Sequence, residues 1–308
     1  MVVALFKLLL FFFTRPLALY KIYPGALALI MAGSMQTAQI QQEELSTLGG
    51  ENLILLTEDN RQLEAMYFSV NKIFPEASKK FSHEKRPTVL FCLGNDMLFQ
   101  LAWPKIQFYL SHGLNVIAFN YGGYGKSEGS PSAERTFLDA EAAYQYISTT
   151  KKVPDHHILV HGFSLGGGPA THLASKYPIH LVLDRTYATL GQAANNFFLG
   201  ILADYLYPYN NLEKIHKVKG RIHIVEADRD ERMNPEQATQ LLHEIARSRH
   251  PEALKDPNME KVLRSVYVTT IPGKHNACVL HTPPLQEEAQ NHFIECVLSP
   301  MVEDSTNI

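Results

Sequence analysis

The sequence predicts an α/β architecture: a mostly parallel central sheet with helices on both faces, preceded by an N-terminal apolar extension. Three observations predict it. From Asn52 onward, short apolar runs of strand length alternate with stretches of helical period. That alternation implies βαβ units, whose strands are buried on both sides. The 308 residues are 45% hydrophobic and 19% charged, enough for one large globular domain with a substantial core.

In chain order, "LILLTEDNRQLEAMYFSV" reads as two strands around the turn "EDN", a hairpin-like start. "TVLFCLG" is a short apolar run, and "PKIQFYLSHG" a helix closed by Gly113. "NVIAFN" is a buried strand, "AERTFLDAEAAYQYI" a helix, "HILVHG" a strand and "LGGGPATHLASKY" a helix whose glycines permit close packing. "IHLVLD" and "RIHIVEA" are strands flanking a long aromatic excursion from Tyr187 to Tyr209, "SVYVTTI" is the last strand, and "PLQEEAQNHFIECVL" the closing helix. The predicted organisation is residues 1–48 as an apolar N-terminal segment, 49–300 as the α/β domain and 301–308 as a tail.

Composition excludes several classes of function. A net charge of -3 offers no broad basic surface, which argues against nucleic acid as a partner. Cys92, Cys278 and Cys296 are odd in number and lack CxxC or Cys/His spacing, so neither a disulfide framework nor a metal site is expected. Cys92 lies in an apolar run and reads as a small buried hydrophobe.

The first segment holds "VVALFKLLLFFF" and "LALYKIYPGALALIMAGSM", interrupted by Lys7, Lys21 and Pro24. Neither piece reaches the ~20 uninterrupted apolar residues of a spanning helix. The leading expectation is an anchor at a membrane surface, with Lys7, Arg15 and Lys21 reaching toward head groups. A signal peptide, making the protein exported or secreted, and a pair of helices packed on the domain are the alternatives.

In an open α/β sheet, chemistry is carried at the carboxyl ends of the strands. There "HILVHGFSLGGG" places Gly162, Phe163, Ser164, Leu165 and Gly166, a GxSxG sequence, directly after a strand and before a helix. The serine then sits on a tight turn, and the glycines let strand and helix approach closely. A serine hydroxyl needs a base, and the base an orienting acid. "IHIVEADRDERMNP" supplies Asp228 and Asp230 after a strand, and "VYVTTIPGKHNA" supplies His275 after the last one. Asp230 is favoured as the acid, with Asp228 its close competitor and Asp184 a weaker one. Of fourteen histidines, His156, His157, His161, His180 and His223 lie before or within strands and read as structural or solvated. Backbone amides of Leu165 and Asn95 are the expected donors to a developing oxyanion.

"NYGGYGKSEGSPS" looks like a phosphate loop but lacks its first glycine, since Asn120 stands there. Glu128, Gly129, Ser130 and Pro131 follow where a helix should open.

With these residues in hand, the sequence resembles the α/β-hydrolase superfamily over about Asn52 to Val297. Within it the chain is similar to membrane-tethered serine hydrolases of the depalmitoylase type and to the CHLPS/SidB-like hydrolases of intracellular bacteria. "NYGGYGKSEGSPS" is similar to that branch's "DYRGYGxSxGxPS" loop, which implies a substrate-side loop and no nucleotide. "LFCLGND" is similar to its "HGNA" oxyanion loop, "RIHIVEADRDE" to the stretch carrying the catalytic aspartate at Asp230, and "PGKHNA" to the "GgGHnd" that carries the histidine at His275. The pattern is broken at Leu93, Asn120, Gly122 and Arg232, where the family has a histidine, an aspartate, an arginine and an apolar residue.

The function expected is a serine hydrolase of acyl esters or thioesters, with Ser164, Asp230 and His275 as triad and no cofactor or metal. Phe197, Phe198 and Tyr124 are expected at the substrate, since "NNFFLGILADYLYPY" offers an apolar lid or acyl groove. A non-catalytic membrane adaptor and a serine peptidase on the same fold are the competing readings.

Overall fold

The computed structural model describes residues 37–82, 86–95, 97–193, 209–234, 236–255, 263 and 265–276. Eight strands among them form one sheet: β1 (Glu51–Leu56), β2 (Gln62–Phe68), β3 (Thr88–Cys92), β4 (Asn115–Phe119), β5 (Ile158–Phe163), β6 (His180–Asp184), β7 (Ile222–Ala227) and β8 (Val266–Ile271). Their order is β1-β2-β4-β3-β5-β6-β7-β8. The β1/β2 hairpin is antiparallel and joins β4 antiparallel, and every other pairing is parallel.

The burial of each strand follows its place. Every residue of β3, β5 and β6 is buried, as a parallel sheet covered on both faces requires. On the edge strand β1, Ile54 and Leu56 are exposed while Leu55 points inward. Cys92 is fully buried at the end of β3, where burial pushes its thiol well above the ordinary value.

Helices connect the parallel strands. Those that matter for the site are α1 (Trp103–Ser111), α2 (Ala133–Gln145), α3 (Gly167–Lys176) and α4 (Glu236–Arg249). Gly113 follows α1 in the left-handed region, φ 95°, which a glycine adopts without strain. Successive side chains on β5 point to opposite faces. His161 meets Tyr109 of α1, and Gly162 lies against Ala170 of α3, so these two helices cover opposite faces.

Helix α4 and a helical segment over residues 37–47 lie outside the elements read from the sequence. In α4 the inward stripe is narrow, chiefly Leu241, Leu242, Ile245 and Ala246 among charged neighbours, which leaves a weak period. The closing helix, the tail and residues 1–36 of the apolar segment, which carry its membrane expectation, fall outside the described residues. Among those described, no helix is long and apolar enough to cross a membrane.

Register is what prepares a site. Cys92 pairs with Gly162 and Phe163 with Asp184, so β3, β5 and β6 end at one level. Ala227 pairs with Ile271, so the loops after β7 and β8 leave the sheet side by side.

Candidate active site

Ser164 stands directly after β5, in a single tight turn over Ser164–Gly166 that runs into α3. Its φ of 50° is left-handed, a strain of about 1–3 kcal/mol that surrounding structure must hold in place. The flanking glycines explain how. A Cβ on Gly162 would stand 2.5 Å from the Gly166 carbonyl oxygen and 2.7 Å from Ala170 Cβ, and one on Gly166 would collide with the Cys92 carbonyl. The turn's carbonyls are then tied down from the loop after β6: Thr186 Oγ1 donates to Ser164 O at 2.7 Å and Tyr187 Oη to Leu165 O at 3.1 Å. Neither anchor carries a spacing or periodicity that sequence reasoning uses, and both were missed.

The loops after β7 and β8 bring a carboxylate and an imidazole to this serine. His275 Nε2 lies 2.9 Å from Ser164 Oγ, and His275 Nδ1 lies 2.9 Å and 3.0 Å from the two oxygens of Asp230. With Nδ1–H donating to Asp230, Nε2 is left to accept the serine proton. His275 is 1% exposed, and its ring lies 5.5 Å from that of Phe163. Burial opposes charge on Asp230, but the His275 bond and the amides of Met233 (2.9 Å) and Arg232 (2.8 Å) outweigh it, so the carboxyl sits below its ordinary value. The donor at position 232 is the backbone, so an arginine there serves as well as an apolar residue.

The competing carboxylates are engaged elsewhere. Asp228 is exposed and accepts the Gly273 amide at 2.6 Å, while its own amide donates to Ile271 O. It staples the two loops that carry Asp230 and His275. Asp184 binds Arg185, Lys105 and His161. Glu231, unremarked in the sequence, accepts the His275 amide at 3.2 Å. The histidines read as structural are bonded within the fold: His161 to Tyr109 and Asp184, His180 to His156 O, and His223 to Thr269.

Leu165 is buried at the mouth of α3, where unpaired amides and the helix dipole favour negative charge. The Asn95 amide donates to no acceptor among the described residues, and the Asn95 side chain receives the Tyr124 hydroxyl at 3.4 Å. Tyr124 is itself buried, edge-on to Tyr121. It therefore holds the Asn95 loop more than it offers open surface. Phe197 and Phe198 lie outside the described residues. Beside Ser164, Leu165, Ala133, Tyr187, Leu190 and Tyr209 form a small apolar cluster with Phe137 and Met233 against it.

The breaks in the loop pattern are met by substitutes. Gly122 leaves room that the Arg61 guanidinium, from the turn between β1 and β2, occupies. Arg61 Nη1 lies 2.8 Å from Asp139 Oδ1, and the other oxygen of Asp139 accepts the Gly122 amide at 2.8 Å. Asn120 is fully buried, accepting the Phe99 amide and donating to Glu64 at 2.8 Å. Glu64 also takes the Lys126 amide, so a carboxylate still anchors the loop from a neighbouring strand. At Leu93 only the backbone is used, its carbonyl accepting Tyr121 Oη at 3.1 Å. Among the described residues no three His, Cys, Asp or Glu side chains are grouped to hold a metal ion.

Comparison with known proteins agrees with this architecture. Residues 87–206 match the family model described as the alpha/beta hydrolase fold. Alpha/beta hydrolase domain-containing protein 17B of Xenopus laevis is 29% identical over 150 residues, covering 47% of this chain and 50% of that protein. The human protein 17C is 30% identical over 152 residues, 47% of this chain and 44% of its own length. An uncharacterized Caenorhabditis elegans protein, F37A4.1, is 26% identical across 79% of this chain and 53% of its own. The chain thus spans about half the length of the curated relatives it matches. Among solved structures, the Pyrococcus furiosus esterase Pf2001 superposes with a TM-score of 0.61 at 20% identity, over 82% of this chain and 93% of that one. An alpha-beta hydrolase from Vibrio vulnificus gives 0.55 at 19% identity, over 87% and 85%. At such identities the likeness shows the fold alone.

Proposed function

The chain belongs to the α/β-hydrolase superfamily, and from that premise we propose that it is a serine hydrolase cleaving acyl esters or thioesters through an acyl-enzyme. The observation that carries the reading is the unbroken line from Ser164 Oγ through His275 to Asp230. Ser164 Oγ attacks the acyl carbon while its proton passes to His275 Nε2. The carbonyl π electrons move to oxygen, where the amides of Leu165 and Asn95 hold the charge. As the tetrahedral centre collapses, the alcohol or thiol leaves with the proton from His275. Water then repeats the sequence on the acyl-serine and releases the acid. Asp230, ionised below its ordinary value, keeps Nδ1 protonated and offsets the imidazolium charge.

A lipid-like acyl group is the substrate class proposed, because the apolar cluster around Leu165 and Leu190 adjoins the serine. Labelling with a fluorophosphonate probe tests the nucleophile: wild type labels, and Ser164→Ala and His275→Ala do not. Labelling of folded Ser164→Ala at the wild-type level overturns the mechanism. A chain-length series of p-nitrophenyl esters tests the acyl group, and a preference for acetate over longer chains overturns that part.

A further inference from the structure

At the end of the sheet opposite Ser164, where β3 and β4 begin, lies a cavity of about 590 Å³. It is large enough for a small organic ligand. Its charged lining is one-sided: Lys72, Arg86, Lys151 and Lys152 against Glu51 alone, four cations less one carboxylate, an excess of three positive charges. Glu51 is already bonded to Lys151 at 2.9 Å. The Lys151 Nζ also lies 4.3 Å above the ring of Tyr67, which lines the same cavity.

Arg86 is the decisive member. It is 7% exposed, yet no carboxylate among the described residues lies within 4.0 Å of its guanidinium. One Nη2 serves the carbonyls of Ser78 (2.9 Å) and Phe81 (3.1 Å), and the buried Nε has no hydrogen-bond partner. Burial pulls its pKa down, against the pull of Tyr67. A buried arginine is ordinarily paired, and an unpaired buried donor is costly. Lys72 and Lys152, both exposed, add charge around the cavity that packing does not require, while Lys151 is held by Glu51 and Tyr67.

We infer that this cavity is a second binding site, for a small phosphorylated molecule. Arg86 and the lysines take the phosphoryl oxygens in charge-assisted bonds, and the Tyr67 ring walls the space left for the organic part. A bare phosphate would fill only a fraction of the volume. The inference does not depend on chemistry at Ser164, from which the cavity is separated by the length of the sheet.

Calorimetric titration of the full chain tests it with three probes: glycerol 3-phosphate, inorganic phosphate and citrate. The expected result is saturable binding tightest for glycerol 3-phosphate, weakened about tenfold or more in the Lys72→Glu/Lys152→Glu double variant, whose sites are exposed and tolerate the change. Arg86→Gln should weaken it as much, and if that variant does not fold, the lysine variant decides alone. Fluorophosphonate labelling of the lysine variant should match wild type. Absence of saturable binding, equal affinity for all three anions, or binding untouched by the lysine variant overturns the inference.

Discussion

Among the described residues, two buried lines join a hydroxyl, an imidazole and a carboxylate, and the proposed mechanism uses only one of them. Ser164, His275 and Asp230 form the first; Tyr109, His161 and Asp184 form the second, with Tyr109 Oη 2.5 Å from His161 Nδ1 and His161 Nε2 3.2 Å from Asp184. They lie on either side of Phe163, whose ring adjoins His275 and is approached by Lys105 at 4.3 Å and Arg185 at 5.0 Å. The difference is in the company each carboxylate keeps. Asp230 has His275 and two amides, so its charge is directed at the imidazole. Asp184 is shared among Arg185 at 2.6 Å, Lys105 and His161; burial opposes its charge, but the two cations and the His161 bond hold it well below the usual carboxylate range. Burial in turn keeps His161 below its ordinary value and Tyr109 far above its own. The left-handed residue beside the second line, Arg185 at φ 48°, follows its carboxylate and not its hydroxyl, and Tyr109 lies within α1 instead of at a helix mouth. The second line pins α1 to β5 and β6.

The sharpest way to break the comparison is to neutralise each carboxylate in turn. Asp230→Asn should lower kcat for ester hydrolysis by roughly three to four orders of magnitude, because the imidazole loses both its tautomer and its counter-charge. Thermal unfolding should show the variant folded. A loss of less than about tenfold would mean that His275 is oriented without Asp230.

Asp184→Asn should show the opposite pattern. Removing the carboxylate shared by Arg185 and Lys105 breaks a buried ion pair, at a cost of about 3–5 kcal/mol in urea denaturation. Probe labelling per folded molecule should stay within about threefold of wild type. Equal stability together with lost labelling would make the second line part of the site.

The sheet was legible because its strands are continuous apolar runs between turn signals, and the elbow because Gly162, Ser164 and Gly166 are spaced as their close packing requires. Chain order brought Asp230 and His275 into consideration, yet residue types alone could not separate Asp230 from Asp228. The proposal of Asp230 rests on the loop, in which Asp228 turns outward to the Gly273 amide and Asp230 inward to His275. The same blindness hid Arg61 and Glu64. Each acts across the sheet on a loop some 60 residues away, a contact that no local pattern announces. Helix α4 escaped for a different reason, its few buried side chains being outnumbered by exposed polar ones.

A smaller effect tests the scaffold behind the nucleophile rather than the line itself. Glu141 of α2 accepts Lys176 at 2.7 Å and His172 at 3.0 Å, both from α3, and the Tyr177 hydroxyl at 2.7 Å. Burial works against its charge, but these bonds prevail and bring the carboxyl down to about 2. An unfolded glutamate takes up its proton near ~4.3. The folded state therefore gains from the charged form above that value, and the gain is lost as pH falls from about 4.3 toward 2. The gap sets a ceiling of about 3 kcal/mol, reduced to about 1–2 kcal/mol because Lys176 is half exposed and screened. Glu141→Gln should accordingly be less stable than wild type by that amount at pH 7, the difference holding to about pH 5 and closing below ~4. Denaturant melts across pH 2–8 measure it. A deficit independent of pH would show that shape, and not charge, clamps α2 to the helix that presents Ser164.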